Sequence, residues 1–283
     1  MTLSRDASYK AMSIIPCQRY QLIGETKKMT ESNAKVLYRK RGLYEKYIKR
    51  ILDILCALAA IIVFCWLYII VAVLVRIKLG SPVIFKQQRP GLIDPKTGQE
   101  RIFAMYKFRS MTNEKDKDGN FLPDEQRLSR FGMLLRGSSM DELPEAFNIL
   151  KGDMSVIGPR PQLVRDMVFM TNEQRKRHTA RPGLSGLAQA SGRNALTWEN
   201  KLNKDLEYIK HITFMEDVRI IMKTIGKVFL NQKEVGLQKI SEVDIVEDLG
   251  DYLLKTKQIT EEQYRNKQKE AEAILNQTIK IHV

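Results

Sequence analysis

Two adjacent acids, Asp141 and Glu142, open the run DELPEAFNILKGDMSVIGPRPQL, which covers residues 141–163. Pro144 is comfortable only in the first turn of a helix, so the pattern predicts a helix over 143–151 with Asp141 at its N-cap. A carboxylate at that position would keep a low pKa and stay ionised as a nucleophile, and the neighbouring backbone N–H groups could hold a phosphate. On pattern alone, a purely structural cap remains an open alternative.

Stiff, glycine-rich turns that each present one arginine form the second feature. Arg160 lies between two prolines, which exclude regular structure and suit a guanidinium held out for bidentate phosphate binding. The runs around Arg181 and Arg193 add close-approach glycines and exposed amides. Each turn alone is equally consistent with an ordinary surface loop. Together, beside the acid pair, these turns predict a diphosphate-binding site.

An uncharged stretch of 22 residues, 54–75, precedes these motifs. It is long enough to enter or cross a bilayer, which takes about 20 apolar residues. Basic residues flank it on both sides, and positive charge favours the cytoplasmic side of a membrane. We therefore expect both ends on that side and a re-entrant rather than a spanning segment. The pattern predicts one helix over 41–78, and this helix has no proline that would bend it.

The remaining patterns predict a helix-dominated α/β fold with a small, short-stranded element. Apolar and aromatic runs at 83–87 and 101–108 predict strands, with turn residues between them. Further expectations are helices over 125–136, 143–151 and 161–176, an irregular segment over 181–197, amphipathic helices over 199–211 and 216–230, and a C-terminal helical hairpin. The 216–230 helix suits a membrane interface and core packing equally well.

Composition limits the partners. The chain has a net charge of +14, and residues 231–283 contain 8 basic and 10 acidic side chains, so residues 1–230 have a net charge of +16. Such a basic body favours an anionic partner, either lipid head groups or a phosphorylated substrate. No nucleic-acid-binding motif, Walker loop or GxGxxG is present, and the 3 cysteines and 3 histidines are too scattered for a metal cluster. We also expect no signal peptide.

Several long motifs make the chain similar to the bacterial sugar transferases, also called monotopic phosphoglycosyl transferases. The matching runs are YKFRSM (106–111), RLSRFGMLLR (127–136), the run over 141–163, and RHTARPGLSGLAQASGRN (177–194). The resemblance covers roughly residues 45–230. The chain departs from the family pattern at Cys65-Trp66, which occupies the position where the family's membrane helix usually has a Ser-Pro break.

The resemblance implies transfer of a sugar phosphate from a UDP-sugar to polyprenyl phosphate, giving a polyprenyl-diphosphate sugar and UMP. Asp141 would be the nucleophile that holds the phosphosugar, Glu142 a proton acceptor or positioning group, and Mg²⁺ would bind near Asp141. The candidate phosphate-binding residues are Lys107, Arg136, Arg160, Arg181, Gln189 and Arg193. The implied setting is the inner membrane of a bacterium, with the catalytic domain on the cytoplasmic face, at the first membrane step of an exopolysaccharide, capsule or lipopolysaccharide pathway.

This interpretation divides the chain into four parts. They are an N-terminal extension over 1–40, a membrane-embedded helix over 41–80, a cytoplasmic catalytic domain over 81–230, and a C-terminal helical extension over 231–283 suited to packing or to homodimer formation. Two alternative functions remain: a membrane-tethered scaffold whose basic face binds anionic lipid without catalysis, and a family member that has lost activity. A scaffold has no need of the Asp141-Glu142 pair or of the run over 158–161, and the intact acid pair argues against a member that has lost activity.

Overall fold

The structure is a computed structural model that describes residues 39–192, 196–231 and 247–281. Arg193 and nearly all of the predicted N-terminal extension lie outside these ranges. The described part of the chain is helix-dominated, as predicted, and contains two small two-stranded sheets. The α-helices are α1 (Lys49–Val63), α2 (Cys65–Lys78), α3 (Asp124–Arg127), α4 (Arg130–Gly137), α5 (Glu145–Lys151), α6 (Val164–Met167), α7 (Asn172–Arg175), α8 (Leu187–Ser191), α9 (Trp198–Lys210), α10 (Phe214–Asn231), α11 (Leu249–Lys255) and α12 (Glu261–Ile281). The strands are β1 (Ile84–Ile93), β2 (Glu100–Phe108), β3 (Ser155–Ile157) and β4 (Gly183–Ser185).

The apolar stretch forms two helices, so the prediction of one unbroken helix over 41–78 is wrong. A π-helical turn at Tyr44–Ile48 leads into α1, and α2 starts after Phe64, whose φ of −100° and ψ of 14° lie outside the helical region. Among the described residues, no single helix is both long and apolar enough to cross a membrane. The pair Tyr44–Val63 and Cys65–Lys78 meets that measure by length and composition, and it is bent by 65°.

Packing gives the physical reason for the bend. Ala57 of α1 belongs to a core cluster with Met105 and Ile149, whereas α2 places Val71 and Val75 in another cluster, on β2 and α4. The break lets each helix keep its own contacts, and tertiary packing outweighs the helical propensity of the sequence. The opposite faces are apolar and uncovered, with Ile62, Ile69 and Ile77 exposed by 70%, 66% and 71%.

The predicted strand pair is confirmed and is longer than expected. β1 and β2 pair antiparallel, from Ile84 opposite Phe108 to Arg89 opposite Phe103, and β1 continues to residue 93. In the turn between them the side chain of Asp94 accepts a hydrogen bond from the backbone N–H of residue 96 at 2.8 Å. Such a local hydrogen bond is typical of aspartate in turns, and this is why the turn could be predicted from the sequence.

A second sheet lies where the sequence predicts an irregular segment over 181–197, so that prediction is wrong over β4 and α8. β3 and β4 pair in parallel. Gly158 donates its N–H to Ser185 O at 2.8 Å, just beyond the pair. A Cβ on Gly183 would lie 2.1 Å from Gly158 N, so glycine is required where the two backbones meet. Strands of three residues leave too little pattern to detect.

Two predicted helices are each divided in two, with non-helical residues between the halves. The predicted helix over 125–136 becomes α3 and α4, and that over 161–176 becomes α6 and α7 followed by a 3₁₀ turn. Ser129 caps α4 by accepting from the N–H of Gly132 at 3.1 Å, and Thr171 caps α7 in a capping box. These internal caps are start signals that helical periodicity alone overlooks.

Helix α10 is tied to the start of the apolar stretch through one buried carboxylate. Asp217 accepts hydrogen bonds from Tyr44 Oη at 2.8 Å, Lys49 Nζ at 2.5 Å and Tyr208 Oη at 2.7 Å. With three donors and one opposite charge, this carboxylate is well compensated inside the protein.

The outer face of α10 is apolar. Ile220 is buried in the core, whereas Met222 and Ile225 are exposed. The predicted amphipathic helix is therefore confirmed, and part of its apolar surface is not covered by the protein in the described residues.

Helices α11 and α12 form the predicted C-terminal hairpin. Tyr264 Oη on α12 donates to Asp251 Oδ1 on α11 at 2.7 Å. A capping box begins α12, since Thr260 and Gln263 exchange backbone-to-side-chain hydrogen bonds at 2.9 and 3.2 Å. The hairpin packs against α6, so its role in packing is observed, and its role in homodimer formation stays a prediction.

Candidate active site

The acid pair lies on a tight 3₁₀ turn, Met140–Glu142, between α4 and α5. Pro144, not Asp141, is the N-cap of α5, so the predicted capping role of Asp141 is wrong. The preceding residue, Ser139, has a φ of 57°. A non-glycine residue in this left-handed region costs on the order of 1 kcal/mol, so the surrounding contacts must hold the turn in place.

Neighbouring elements supply those contacts. Tyr68 on α2 donates its hydroxyl to the backbone oxygen of Leu143 at 2.6 Å, directly after the turn. On the other side, Gly132 packs so closely on the segment that follows β2 that a Cβ would lie 1.9 Å from Ser110 O. Arg136, at the end of α4, donates Nε to Ser110 Oγ at 2.9 Å. The turn is thus fixed between the apolar stretch and the first sheet.

Three carboxylates and two cations meet at this turn, and we call them the acidic cluster: Asp141, Glu142, Glu145, Lys107 and Arg160. Glu142 Oε1 lies 2.9 Å from Lys107 Nζ and 2.9 Å from Arg160 Nη2. Lys107 Nζ also lies 3.2 Å from Glu145 Oε1. Asp141 and Glu145 are both buried, being 7% and 2% exposed. Lys107 comes from β2 and Arg160 from the loop between β3 and α6, so three separate segments build the cluster.

The three carboxyl groups differ in their pKa. Burial raises the pKa of Asp141, and Lys107 opposes that rise only in part. Burial alone would also raise the pKa of Glu142, but Arg160 and Lys107 outweigh it and hold that pKa well below its usual range. Burial raises the pKa of Glu145. The predicted low pKa of Asp141 is therefore wrong, because this carboxyl sits buried beside another acid and not at a helix N-terminus.

The other predicted phosphate-binding residues are not part of the acidic cluster. The positive charge of Arg136 acts on Asp141 and, like that of Lys107, opposes part of the rise in the Asp141 pKa that burial causes. Arg181 donates Nε to Gly152 O at 3.1 Å and lines a small cavity with Arg41 and Lys49, so it belongs to a second basic group beside α1. Gln189 donates Nε2 to the backbone of β4 at 3.0 Å, which is a structural contact. Arg193 is outside the described residues.

Sequence reasoning missed three residues that build the cluster or its support. Glu145 is the third carboxylate, and its place three residues after Glu142 was a usable signal. Arg177 is completely buried, donates Nη2 to Arg160 O at 2.5 Å and pairs with Asp205 at 2.7 Å. Arg89 donates Nη1 to the backbone oxygen of residue 161 at 3.1 Å. Arg89 falls in the segment between the two predicted strands, where turn residues are expected, and nothing in the sequence marks its side chain as a support for residue 161.

The oxygen ligands of the acidic cluster fit the way Mg²⁺ binds together with substrate phosphates, through one or two carboxylates. In the ranges that the structure describes, no group of three His, Cys, Asp or Glu side chains is arranged to hold a metal ion. Within the acidic cluster, Asp141 and Glu145 are buried and have raised pKa values, and a nearby divalent cation would favour their ionised forms.

The site thus combines an acid pair on a strained turn with a bent pair of apolar helices. The family model described as "Bacterial sugar transferase" matches residues 44–231, and the chain belongs to this family. The match includes every segment that contributes to the acidic cluster and excludes the C-terminal hairpin.

Individual relatives agree with this assignment. The chain is 43% identical over 199 residues to the uncharacterized sugar transferase EpsL of Bacillus subtilis (strain 168), covering 69% of this chain and 93% of that protein. It is 40% identical to the UDP-N-acetylgalactosamine-undecaprenyl-phosphate N-acetylgalactosaminephosphotransferase of Aeromonas hydrophila, over 63% of this chain and 43% of the relative. It is 36% identical to the UDP-glucose:undecaprenyl-phosphate glucose-1-phosphate transferase of Xanthomonas campestris pv. campestris, over 68% and 41%. The chain thus matches less than half of the length of these two transferases.

Proposed function

We propose that this protein transfers a sugar-1-phosphate from a UDP-sugar to polyprenyl phosphate, such as undecaprenyl phosphate, with UMP as the second product. The observation that carries the proposal is the acidic cluster, in which a buried aspartate stands beside a glutamate that binds two cations. The activities named for the Aeromonas and Xanthomonas relatives support the same reaction class. It would be the first membrane step of a bacterial surface glycan pathway.

In the proposed first step, a carboxylate oxygen of Asp141 attacks the β-phosphorus of the donor. The bond from that phosphorus to the bridging oxygen breaks, and UMP leaves with the electron pair. In the second step an oxygen of polyprenyl phosphate attacks the same phosphorus. The Asp141–phosphorus bond then breaks, the carboxylate is restored, and the polyprenyl-diphosphate sugar is released.

The remaining residues of the cluster have separate tasks in this proposal. Lys107 and Arg160 stabilise the negative charge that develops on the phosphoryl oxygens. Glu142 holds both cations in place, and its lowered pKa makes it a weak proton acceptor, so we assign it the positioning role. Mg²⁺, held by Asp141 together with the donor's diphosphate, would neutralise phosphate charge when bound.

The bent pair α1–α2 is proposed to enter the cytoplasmic leaflet of the inner membrane and to return. The 65° bend, the exposed apolar faces of both helices and the basic residues at both ends support this. The exposed apolar face of α10 would rest at the same interface.

This placement is testable with impermeant thiol labelling of Lys46→Cys and Lys78→Cys, each in a background without the native cysteines. Re-entry predicts that both positions are labelled only in inverted membrane vesicles. Labelling of one position from each side of the membrane would show a spanning segment.

The reaction is tested with purified full-length protein in lipid particles with Mg²⁺, undecaprenyl phosphate and a panel of UDP-sugars, by measuring UMP release. Asp141→Asn should reduce release at least about a thousandfold, as expected for loss of a nucleophile. The matched control Asp118→Asn, in an exposed loop, should leave it unchanged. Intact-protein mass spectrometry with donor alone should detect a sugar-phosphate adduct on the wild type but not on Asp141→Asn.

Transfer that survives Asp141→Asn would refute the nucleophile and leave the family unchanged. Silence with every donor, in protein shown to be folded, would favour the membrane-tethered scaffold that binds anionic lipid.

A further inference from the structure

The C-terminal hairpin lies outside the family match and packs directly on the segment that follows Arg160. Ala271 of α12 lies in one core cluster with Val164, Met167 and Val168, at and just after α6. Leu249 of α11 lies in the neighbouring cluster, which contains Trp198. The hairpin therefore buries apolar surface against the element to which the Arg160 loop, residues 158–163, is joined.

One buried carboxylate joins the hairpin to the Arg160 loop. Asp166 is 2% exposed. Its Oδ2 accepts a hydrogen bond from the N–H of Leu163 at 3.1 Å, and its Oδ1 accepts one from the N–H of Leu249 at 2.9 Å. The first bond closes the end of the loop onto α6, and the second fixes the first residue of α11. A single side chain thus satisfies two backbone donors that are 86 residues apart in the chain.

Further contacts hold the hairpin in the position that Asp166 requires. Arg165 and Asp248 form an ion pair at 2.7 Å. Trp198 donates Nε1 to the backbone oxygen of Glu247 at 2.8 Å. A Cβ on Gly250 would lie 2.5 Å from the ring of Phe169, so α11 approaches this ring closely.

The Arg160 loop is held at its other positions by the catalytic body itself. Arg177 binds the backbone oxygen of Arg160 at 2.5 Å, and Arg89 binds that of Pro161 at 3.1 Å. These two arginines support the loop from residues inside the family match. The bond from Leu163 to Asp166 supports it from the side of the hairpin. Before Arg160, Pro159 O accepts a hydrogen bond from the N–H of Gly183 at 3.0 Å. Backbone supports on both sides of Arg160 therefore limit the directions in which its guanidinium can point.

We propose that the C-terminal hairpin braces the Arg160 loop, and that Asp166 is the positioning residue through which it acts on the acidic cluster. The kinetic part of this inference rests on the proposed function, in which Arg160 contacts the phosphates of the donor. Weakening the brace should leave Asp141 in place but let Arg160 occupy several orientations. The result is a weaker phosphate contact.

Asp166→Asn is the first test, because asparagine keeps one acceptor oxygen and turns an N–H₂ group toward the second backbone donor. We expect the KM for the UDP-sugar to rise about tenfold with a smaller change in kcat. Hydrogen exchange of the peptide spanning 158–163 should become faster. The matched control is Asp251→Asn, which lies in the same hairpin and contacts Tyr264, and it should change neither quantity.

A double-mutant cycle separates positioning from simple loss of stability. In an Arg160→Gln background, Asp166→Asn should add no further change in KM, because the guanidinium that the brace positions is gone. Asp166→Asn should still lower the Tm of the Arg160→Gln protein by the same amount as it lowers that of the wild type. Equal kinetic effects of Asp166→Asn in both backgrounds would overturn the proposal.

A second pair of variants covers the case in which Asp166→Asn does not fold. Arg165→Asp should raise the KM and the exchange of residues 158–163, and the charge swap Arg165→Asp with Asp248→Arg should restore both. An Arg165→Asp variant that loses Tm with unchanged loop exchange would refute the brace. If the wild type itself shows no transfer, the proposed function fails, and the exchange experiment still decides whether the hairpin holds the loop.

Discussion

Replacement of Lys107 by methionine tests whether one ammonium group holds the acidic cluster together. Its Nζ lies 2.9 Å from Glu142 Oε1 and 3.2 Å from Glu145 Oε1, and all three side chains have little exposure. At an effective dielectric constant of about 20, each contact corresponds to roughly 5 kcal/mol of Coulomb attraction. Desolvation of the ammonium group and proton uptake by the carboxyl groups offset much of it. We expect the Lys107→Met substitution to lower the free energy of unfolding by about 3–5 kcal/mol.

The loss should increase with pH. Lys107 and Arg160 lower the pKa of Glu142, so their contribution to stability is present above the usual glutamate pKa of about 4.3 and is lost as pH falls through the folded pKa. Burial raises the pKa of Glu145, so its ionisation costs stability as pH rises above its unfolded value, and loss of Lys107 increases this cost. The contribution of Glu142 is already complete at pH 5. The effect on Glu145, whose pKa is raised to about 7, therefore makes the stability difference between wild type and variant larger at pH 8 than at pH 5.

The assay is thermal unfolding in lipid particles at both pH values. For a protein of this size, a loss of 3–5 kcal/mol corresponds to a fall in Tm of about 6–20 °C. Lys86→Met is the matched control, because this exposed lysine on β1 contacts the Tyr106 ring and no acid of the cluster. A fall no larger than that of Lys86→Met, or one that is equal at pH 5 and pH 8, would refute the reasoning.

Two other pairs of substitutions test the packing around the site. Lys49→Met should cost about 3–5 kcal/mol, because it leaves the buried Asp217 without its cation, whereas Lys204→Met breaks an exposed ion pair and should cost less than about 1 kcal/mol. Urea unfolding would measure both, and similar losses would contradict the assignment. Gly132→Ala should cost about 1–3 kcal/mol through overpacking against the carbonyl it faces, whereas Gly137→Ala, in the same helix, has no atom within 4 Å of its new Cβ and should be neutral or slightly stabilising. Equal melting temperatures for the two alanine variants would show that the backbone moves aside without cost.

Local signals made much of the fold predictable. The β1–β2 pair, the helical character of the apolar stretch and the capping box at Thr260 depend on residues close together in sequence. The break at Phe64 and the β3–β4 pair do not. Phe64 lies in an apolar run that favours a helix throughout, and only contacts of the two halves with different parts of the core require a bend.

The sequence predicted which residues form the candidate site better than it predicted how they are grouped in space. The resemblance identified Lys107, Glu142 and Arg160, which the structure brings into contact. It also named Arg181 as a phosphate contact, whereas the structure places that side chain beside α1, with Arg41, and not in the acidic cluster. The distinction depends on where β4 lies relative to α1, which no local pattern records. The raised pKa of Asp141 depends on burial, which is likewise a property of the fold.

The hydrogen bond from Tyr68 to Leu143 has a consequence for the dependence of the proposed reaction on lipid. It joins the apolar helix α2 to a residue two positions after Asp141 at 2.6 Å. In the proposed membrane placement, hydrophobic matching of α2 sets its depth, and the turn that contains Asp141 must follow. The phosphate of a polyprenyl acceptor takes its height from the surrounding head groups instead. Turnover should therefore pass through a maximum as the acyl chains are lengthened, at the thickness that brings the nucleophile and the acceptor phosphate to the same height.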